Sequence, residues 1–157
     1  MESPTIDKKW KKGINSLDIV YPNLYSGGIY CLAPLIVYNI VNNLDNWKCN
    51  RIFLDKEKIT SKLIGFTLQY EPDYYNVIKM LKANGIKLSK DREQIIFAGG
   101  PCINSNYRVM EDYFDFLFIG EAEESLPKVL KEYEKEQDKE KFLRNISNID
   151  GIYVPGI

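Results

Sequence analysis

The chain has 157 residues, of which 45% are hydrophobic and 27% are charged, and its formal net charge is −1. This length and composition indicate one soluble globular domain whose core needs neither disulfides nor a metal. The near balance of 21 basic and 22 acidic residues gives no reason to expect nucleic acid or a membrane surface as a partner. The sequence has no histidine, which excludes histidine-dependent acid–base catalysis, Ser-His-Asp hydrolysis and histidine metal sites.

The cysteines and the apolar segments predict a cytoplasmic protein. Cys31, Cys49 and Cys102 are far apart, and no pair has the spacing of a zinc or iron–sulfur site. We therefore expect three reduced thiols. Residues 1–4 are polar and lack a signal-peptide core, and the most apolar stretch, residues 29–41, is shorter than the roughly 20 residues of a membrane span.

The first third of the chain predicts an arm, a strand and an apolar helix. Residues 1–16 are polar with lysines around Trp10, which indicates either a terminal arm or a segment that docks on a partner. Residues 17–21 form a β-type run, and residues 31–44 have the pattern of a helix that is apolar nearly all round. A helix on the outside of a sheet should have a polar face. This helix therefore predicts a second buried contact, with a missing domain or with another copy of the chain in a homo-oligomer.

The remainder alternates between strands and helices. A helix capped by Asp73 is expected to end at Gly85, a short helix is predicted over residues 106–113, and another begins near Ser125 and extends to Ile146. Continuous apolar runs are typical of parallel strands that are buried on both faces. These runs cover residues 51–54, 63–68, 94–98 and 114–119, with a final short strand at 152–154.

This alternation, with a helix expected after each strand, predicts a doubly wound α/β fold. We expect a mostly parallel five-stranded sheet in the flavodoxin-like order 2-1-3-4-5, with helices on both faces. The predicted domain covers residues 17–147. Residues 148–157 are expected to begin a linker or strand that leads into a further domain.

The fold class predicts where a ligand would bind. In an open parallel sheet, ligands bind beyond the carboxyl ends of the strands, where the strand order reverses. The loops there are residues 22–28, 69–73, 99–104 and 120–123, and most of them carry glycine. They are either a ligand-binding edge or tight βα turns and nothing more. Neither G-x-G-x-x-G nor the P-loop motif is present.

Carboxylates and tyrosines gather in the same loops. Glu71 and Asp73 follow the third strand, and Glu121, Glu123 and Glu124 follow the fifth. The last three would also suit a helix N-terminus, where negative side chains offset the macrodipole. The tyrosines would line either a pocket for a flat ligand or a domain interface, or they would only pack at the rim.

Four segments together resemble a known family. Residues 21–28 (YPNLYSGG), 64–71 (IGFTLQYE), 97–101 (FAGGP) and 118–123 (FIGEAE) resemble the N-terminal part of an uncharacterised group of radical S-adenosylmethionine (radical SAM) proteins. In that group a cobalamin-binding-like domain precedes the radical SAM core, and residues 151–155 resemble the junction between the two. The resemblance implies a 4Fe–4S cluster on a Cys-x-x-x-Cys-x-x-Cys motif, with SAM on its open iron. The chain lacks that motif, so cluster and SAM would belong to a downstream domain.

Cobalamin is a separate expectation from the same resemblance. Cobalamin domains often carry Asp-x-His-x-x-Gly after the first strand, and this motif falls on Asn23, Tyr25 and Gly28, of which only the glycine matches. Histidine-bound cobalamin is therefore excluded, whereas cobalamin without a protein ligand stays open. The candidate cofactor-binding residues are Asn23, Tyr25, Gly27, Gly28, Thr67, Gln69, Glu71, Gly99, Gly100, Pro101, Gly120, Glu121 and Glu123.

Two functions follow as expectations. The first is an accessory N-terminal domain that packs on a downstream radical SAM core and shapes its active site, with no complete catalytic site of its own. The alternative is a stand-alone flavodoxin-like module that binds cobalamin, a nucleotide or a partner protein.

Overall fold

A computed structural model of the chain describes residues 14–157, so most of the predicted N-terminal arm lies outside the described residues. This part of the chain contains six strands and six α-helices. The strands are β1 (Asn15–Tyr21), β2 (Trp47–Phe53), β3 (Leu63–Thr67), β4 (Ile95–Gly99), β5 (Phe116–Phe118) and β6 (Ile152–Tyr153). The helices are α1 (Tyr25–Gly28), α2 (Leu32–Asn42), α3 (Asp73–Ala83), α4 (Pro101–Asn106), α5 (Leu126–Lys135) and α6 (Lys139–Ile146).

The strands form one mostly parallel sheet in the order β2-β1-β3-β4-β5-β6. The α/β prediction is confirmed, but the five-stranded flavodoxin-like sheet is corrected to six strands. The sixth strand, β6, pairs antiparallel with β5, with Ile152 opposite Phe118. The prediction of a short helix over residues 106–113 is wrong. The helix α4 lies earlier and ends at Asn106, and two short 3₁₀ turns follow it.

The direction of β6 follows from a break in the predicted helix between Ser125 and Ile146. Glu136 is extended, and Asp138 starts α6 by accepting a hydrogen bond from the Lys141 N–H. The Lys139 ammonium at the start of α6 donates to the carbonyls of residues 90, 92 and 94, which precede β4. This contact places the start of α6 at the amino edge of the sheet. The chain then returns along α6 and re-enters the sheet at the carboxyl edge, so β6 can only run antiparallel to β5.

The connection from β2 to β3 contains no helix, contrary to the prediction of one after each strand. Residues 54–62 cross the sheet as a loop, and the fully buried Asp18 of β1 holds this loop. Its carboxylate accepts from the N–H groups of Thr60 and Ser61 at 2.6 and 2.8 Å, from the Ser61 hydroxyl at 2.8 Å, and from the Asn50 amide at 2.7 Å. These four hydrogen bonds replace those that water would make, so both oxygens of the buried carboxylate have hydrogen-bond partners.

The helices cover both faces of the sheet and bury a core on each. Helices α2, α5 and α6 pack on the face that carries Ile19, Phe97 and Phe116. Helix α3 packs on the face that carries Val20 and Phe66. Among residues 14–157, no helix is both long enough and apolar enough to cross a membrane.

A buried ion cluster closes the amino edge of the sheet. The side chains of Arg92 and Asp115 are each 1% exposed, and their charged atoms lie 2.8 Å apart. The Lys139 ammonium lies 3.0 Å from the other Asp115 oxygen, and the Ile96 N–H also donates to Asp115. Asp115 therefore joins the loop before β4, the start of β5 and α6.

Asp115→Ala should lower the free energy of unfolding by about 3–5 kcal/mol, because it leaves a buried guanidinium and an ammonium without their counter-charge. Urea denaturation monitored by circular dichroism measures this loss. The matched control is Glu93→Ala, which breaks an exposed ion pair with Lys62 and should cost less than about 1 kcal/mol. Similar losses in the two variants would contradict the assignment.

Candidate functional site

A cavity of about 180 Å³ lies at the carboxyl edge of the sheet, where the strand order reverses. Strand β1 pairs with β2 on one side and with β3 on the other. Helix α2 leaves β1 toward one face and α3 leaves β3 toward the opposite face, so a crevice remains between them. Its walls are mostly apolar and come from α2 and from the ends of the strands, including Ile36, Val37, Ile40, Phe97 and Phe118.

Several of the predicted site residues line this cavity. They come from the ends of β3 and β4 and from the loop after β5. The predicted residues in its wall are Thr67, Gly99, Gly100, Gly120, Glu121 and Glu123. Sequence reasoning missed the contribution of α2, because the apolar pattern of that helix indicated a contact but not a cavity.

Gly100 shows why this turn requires glycine. Its φ is +111°, and a Cβ at this position would lie 2.7 Å from the Leu68 carbonyl oxygen. That same oxygen accepts the N–H of Cys102, and the Leu68 N–H donates to the Gly99 carbonyl. The close approach therefore ties the loop after β3 to the loop after β4, which together form one side of the cavity.

The predicted residues of the first loop do not line the cavity. The Tyr25 N–H donates to Asp55 at 2.7 Å, and the Tyr25 ring packs edge-on against Phe53 with centroids 5.0 Å apart. The Lys56 ammonium lies 3.5 Å from the same ring centroid. Gly28 is packed under the rings of Tyr21 and Phe53, whereas Gly27 faces open space. This loop therefore folds toward the end of β2 and away from the cavity.

Asn23 and Asp73 join the first loop to α3. The Asn23 amide donates to the Asp73 carboxylate at 2.7 Å, and the Asn23 side-chain oxygen accepts the Leu24 N–H. The helix begins at Asp73 itself, and its carboxylate bonds side chains, so it is not the backbone cap that the sequence predicted. Asp73 is 2% exposed, and its second oxygen has no hydrogen-bond partner among the described residues. Burial raises the pKa of Asp73, while the hydrogen bonds from Asn23 and Asn76 oppose this shift.

The other predicted residues lie near the edge but outside the cavity. Gln69 is half-buried, and its amide nitrogen has no hydrogen-bond partner within the part of the chain that the structure describes. Glu71 is exposed in the loop before α3. Pro101 is exposed as the first residue of α4, where its missing N–H costs little.

The acidic residues after β5 are not helix caps. Glu121, Glu123 and Glu124 all precede α5, whose first turn contains no acidic residue. All three are exposed, and within residues 14–157 none of them forms an ion pair. Their position leaves negative charge at the mouth of the cavity without a counter-charge from the described residues.

The described residues do not fit an iron–sulfur cluster. No group of three or more histidine, cysteine, aspartate or glutamate residues in the range 14–157 is placed to hold a metal ion. Cys31 is half-buried at the start of α2, and Cys49 and Cys102 are buried. Burial raises the pKa of the Cys49 and Cys102 thiols, so both are protonated and unreactive near neutral pH.

Gly100→Ala should destabilise the domain by about 1–3 kcal/mol, because alanine is strained at a positive φ and its Cβ meets the Leu68 carbonyl. Urea denaturation measures the loss. Gly27→Ala is the control: nothing lies within 4 Å of its Cβ, and in α1 alanine should be neutral or stabilising by up to about 1 kcal/mol. Equal effects at the two positions would contradict this account of the turn.

Asp73→Asn should gain stability relative to the native protein as the pH rises from about 4 to about 7. The pKa of Asp73 is raised in the folded state, so the native protein loses stability as this carboxyl ionises. The free energy of unfolding of both proteins, measured across this pH range, gives the difference.

The control for Asp73 is Asp91→Asn, for which no such gain is expected between about pH 4 and about 7. Hydrogen bonds from Ser89 and Lys87 lower the pKa of Asp91, so this carboxylate stabilises the native protein once it is ionised. Because this stabilisation changes only below about pH 4, the stability of the control relative to the native protein should stay nearly constant as the pH rises from about 4 to about 7. Parallel trends in the two variants would contradict the burial of Asp73.

Two comparisons with known proteins find matches to this chain. The model of the family "Radical SAM proteins, N-terminal" matches residues 59–155, from the end of the β2–β3 crossover to β6. The chain is 35% identical over 138 residues to an uncharacterised protein of Methanocaldococcus jannaschii. This match covers 84% of the chain but only 30% of the relative. No solved structure gives a significant match. The chain therefore belongs to the family of N-terminal domains of radical SAM proteins.

Proposed function

We propose that this chain is an accessory domain that packs on the core of a longer radical SAM protein and shapes access to its active site. The observation that carries the proposal is the family match over residues 59–155. In the Methanocaldococcus relative, the matched segment occupies 30% of the polypeptide, which leaves room for a catalytic core. The described residues lack a set of thiols for a 4Fe–4S cluster, so the chain supplies surface and shape rather than chemistry.

The cluster and SAM of the core would generate a radical, which must be kept from solvent and from side reactions. A domain that covers the open side of such a site needs an exposed surface that favours burial. The carboxyl edge of this sheet has one. Large apolar side chains are exposed in the segments after β1, β3 and β5: Leu24, Tyr30, Leu32, Tyr70, Tyr75 and Ile119.

Helix α2 supports the same interpretation. Leu32 is exposed, and Leu35 and Ile36 are only half-buried, so the outer face of the helix is apolar up to the exposed Asn39. Exposed apolar patches of this kind mark interaction sites in soluble proteins. The predicted second contact of α2, with a further domain or with another copy, stays a prediction.

The alternative of a cofactor-binding module has less support from the geometry. Small-molecule sites usually enclose about 300–1,000 Å³, and the cavity here has about 180 Å³. Tyr25, at the position of the cobalt-binding histidine of the cobalamin motif, packs on Phe53 outside the cavity. Cobalamin without a protein ligand stays a prediction, for which a titration with hydroxocobalamin is the direct measurement.

The full-length polypeptide and the 157-residue chain, each reconstituted with iron and sulfide, test the proposal. We expect the full-length protein to hold a 4Fe–4S cluster and, with dithionite, to convert SAM to 5′-deoxyadenosine, whereas the chain alone should hold no cluster and form no product. Amide hydrogen exchange should be slower in the full-length protein at the loops of the carboxyl edge. A cluster in the isolated chain, or identical exchange of residues 14–157 in both proteins, would overturn it.

A further inference from the structure

We propose that the cavity between α2 and the β5–α5 loop is a socket for one large apolar side chain from the downstream part of the polypeptide. A basic side chain beside it would pair with Glu121 and Glu123. This inference rests on the proposed function and adds to it the surface through which the domain docks.

The size of the cavity selects one side chain rather than a cofactor. A cavity of about 150 Å³ lined by aliphatic and aromatic groups takes up one benzene ring. The cavity here, at about 180 Å³, has room for a single aromatic or branched aliphatic group and little more.

The lining of the cavity selects an apolar group. Helix α2 contributes Ile36, Val37 and Ile40, and the strands contribute Phe97 and Phe118. A polar ligand inside the cavity would need free donors or acceptors to orient it. The polar groups at the strand ends are paired with the protein, and the carboxylates of Glu121 and Glu123 are exposed at the mouth.

Each of these pairs lies within the domain. The Thr67 hydroxyl donates to the Val20 carbonyl at 3.4 Å. The carbonyls of Gly99 and Gly100 accept the N–H groups of Leu68 and Asn104. These groups therefore offer a ligand no free donor, and an apolar side chain leaves their contacts intact.

The mouth of the cavity adds charge and further apolar surface. Glu121 and Glu123 are in its wall, are exposed, and form no ion pair with any residue from 14 to 157. Leu32, 68% exposed, precedes the lining residue Ala33, and Ile119, 37% exposed, lies between two lining residues of the β5–α5 loop. A matching segment therefore presents an apolar anchor with a neighbouring lysine or arginine. Exposed charges of this kind fix register and partner choice more than affinity.

The same charges decide against a second copy of the chain as the occupant. A twofold dimer through this face would place identical patches against each other. With this mouth on the twofold axis, Glu121 and Glu123 of one protomer would face their own copies in the other, and like charges at an interface are unfavourable. The match covers only 30% of the Methanocaldococcus relative, so the remainder of such a polypeptide is long enough to supply a different segment, which the proposal takes to be basic.

The first test uses benzene as the probe and the 157-residue chain as the protein. Benzene should raise the melting temperature of the native chain, because it binds the folded state only. Ala33→Phe, which places a ring into the cavity from α2, should abolish this shift. Ala83→Phe, on an exposed position at the end of α3, is the matched control and should leave the shift unchanged. Absence of any shift in the native chain would overturn the socket.

The second test measures amide hydrogen exchange of α2 and residues 119–123 in the full-length polypeptide. These amides should exchange at least about tenfold more slowly than in the isolated chain, a factor that corresponds to about 1.4 kcal/mol of added protection. Ala33→Phe in the full-length protein should remove that protection, and Ala83→Phe should preserve it. The protection should also fall with added salt.

A charge variant tests the socket even where Ala33→Phe fails to fold. The double variant Glu121→Gln/Glu123→Gln should reduce the salt dependence of the protection, and Glu93→Gln/Glu140→Gln, with the same change of charge elsewhere, should not. Protection that appears on other faces, or that survives both socket variants, overturns the socket and leaves the accessory role intact. Absence of any added protection across residues 14–157 overturns both.

Discussion

The parallel pairing of β1 with a neighbour on each side is the constraint on which the rest of the domain depends. In this register Ile19 lies opposite Arg51 of β2 and Gly65 of β3. The chain must therefore leave β1 toward one face and β3 toward the other, and neither following helix can close the gap between their carboxyl ends. Gly65 lets the ring of the lining residue Phe97 pack against β3, since a Cβ there would lie 2.3 Å from that ring. The cavity is thus a consequence of topology and of one small residue.

The two edges of the sheet have opposite characters. At the amino edge, the buried carboxylates of Asp18 and Asp115 are surrounded by donors from several elements, so polar groups there hold the fold together. At the carboxyl edge, polar atoms of Gln69 and Asp73 lack hydrogen-bond partners among the described residues, and large apolar side chains are exposed. The buried polar contacts that stabilise the domain lie at the amino edge. The exposed apolar side chains, whose contact with water is unfavourable, lie at the carboxyl edge. This division is what an accessory domain requires, because its stability does not depend on the contact that it makes.

The sequence predicted the strands to within a few residues and the glycine-bearing edge, since both depend on local patterns of apolar residues and glycine. It failed where a distant contact decides the structure. The loop between β2 and β3 replaces a helix because Asp18, from another strand, supplies its hydrogen bonds. The antiparallel β6 follows from the break before α6, which Lys139 fixes on carbonyls more than 40 residues earlier in the chain. The charged Asp18 within an apolar strand was the available signal, because a buried carboxylate demands partners.

Two of the predicted cofactor-binding residues in the first loop have side chains that lie outside the cavity. Asn23 and Tyr25, which stand at the acid and histidine positions of the cobalamin motif, bond Asp73 and pack on Phe53. Both side chains are therefore used within the fold, and a histidine at position 25 would point toward β2 rather than toward the cavity. The crevice itself persists because it comes from the strand order and not from this loop. In the proposed docking, the apolar walls of the crevice hold an apolar side chain. Glu121 and Glu123 at its mouth, which form no ion pair with residues 14–157, set the charge of the segment that carries it.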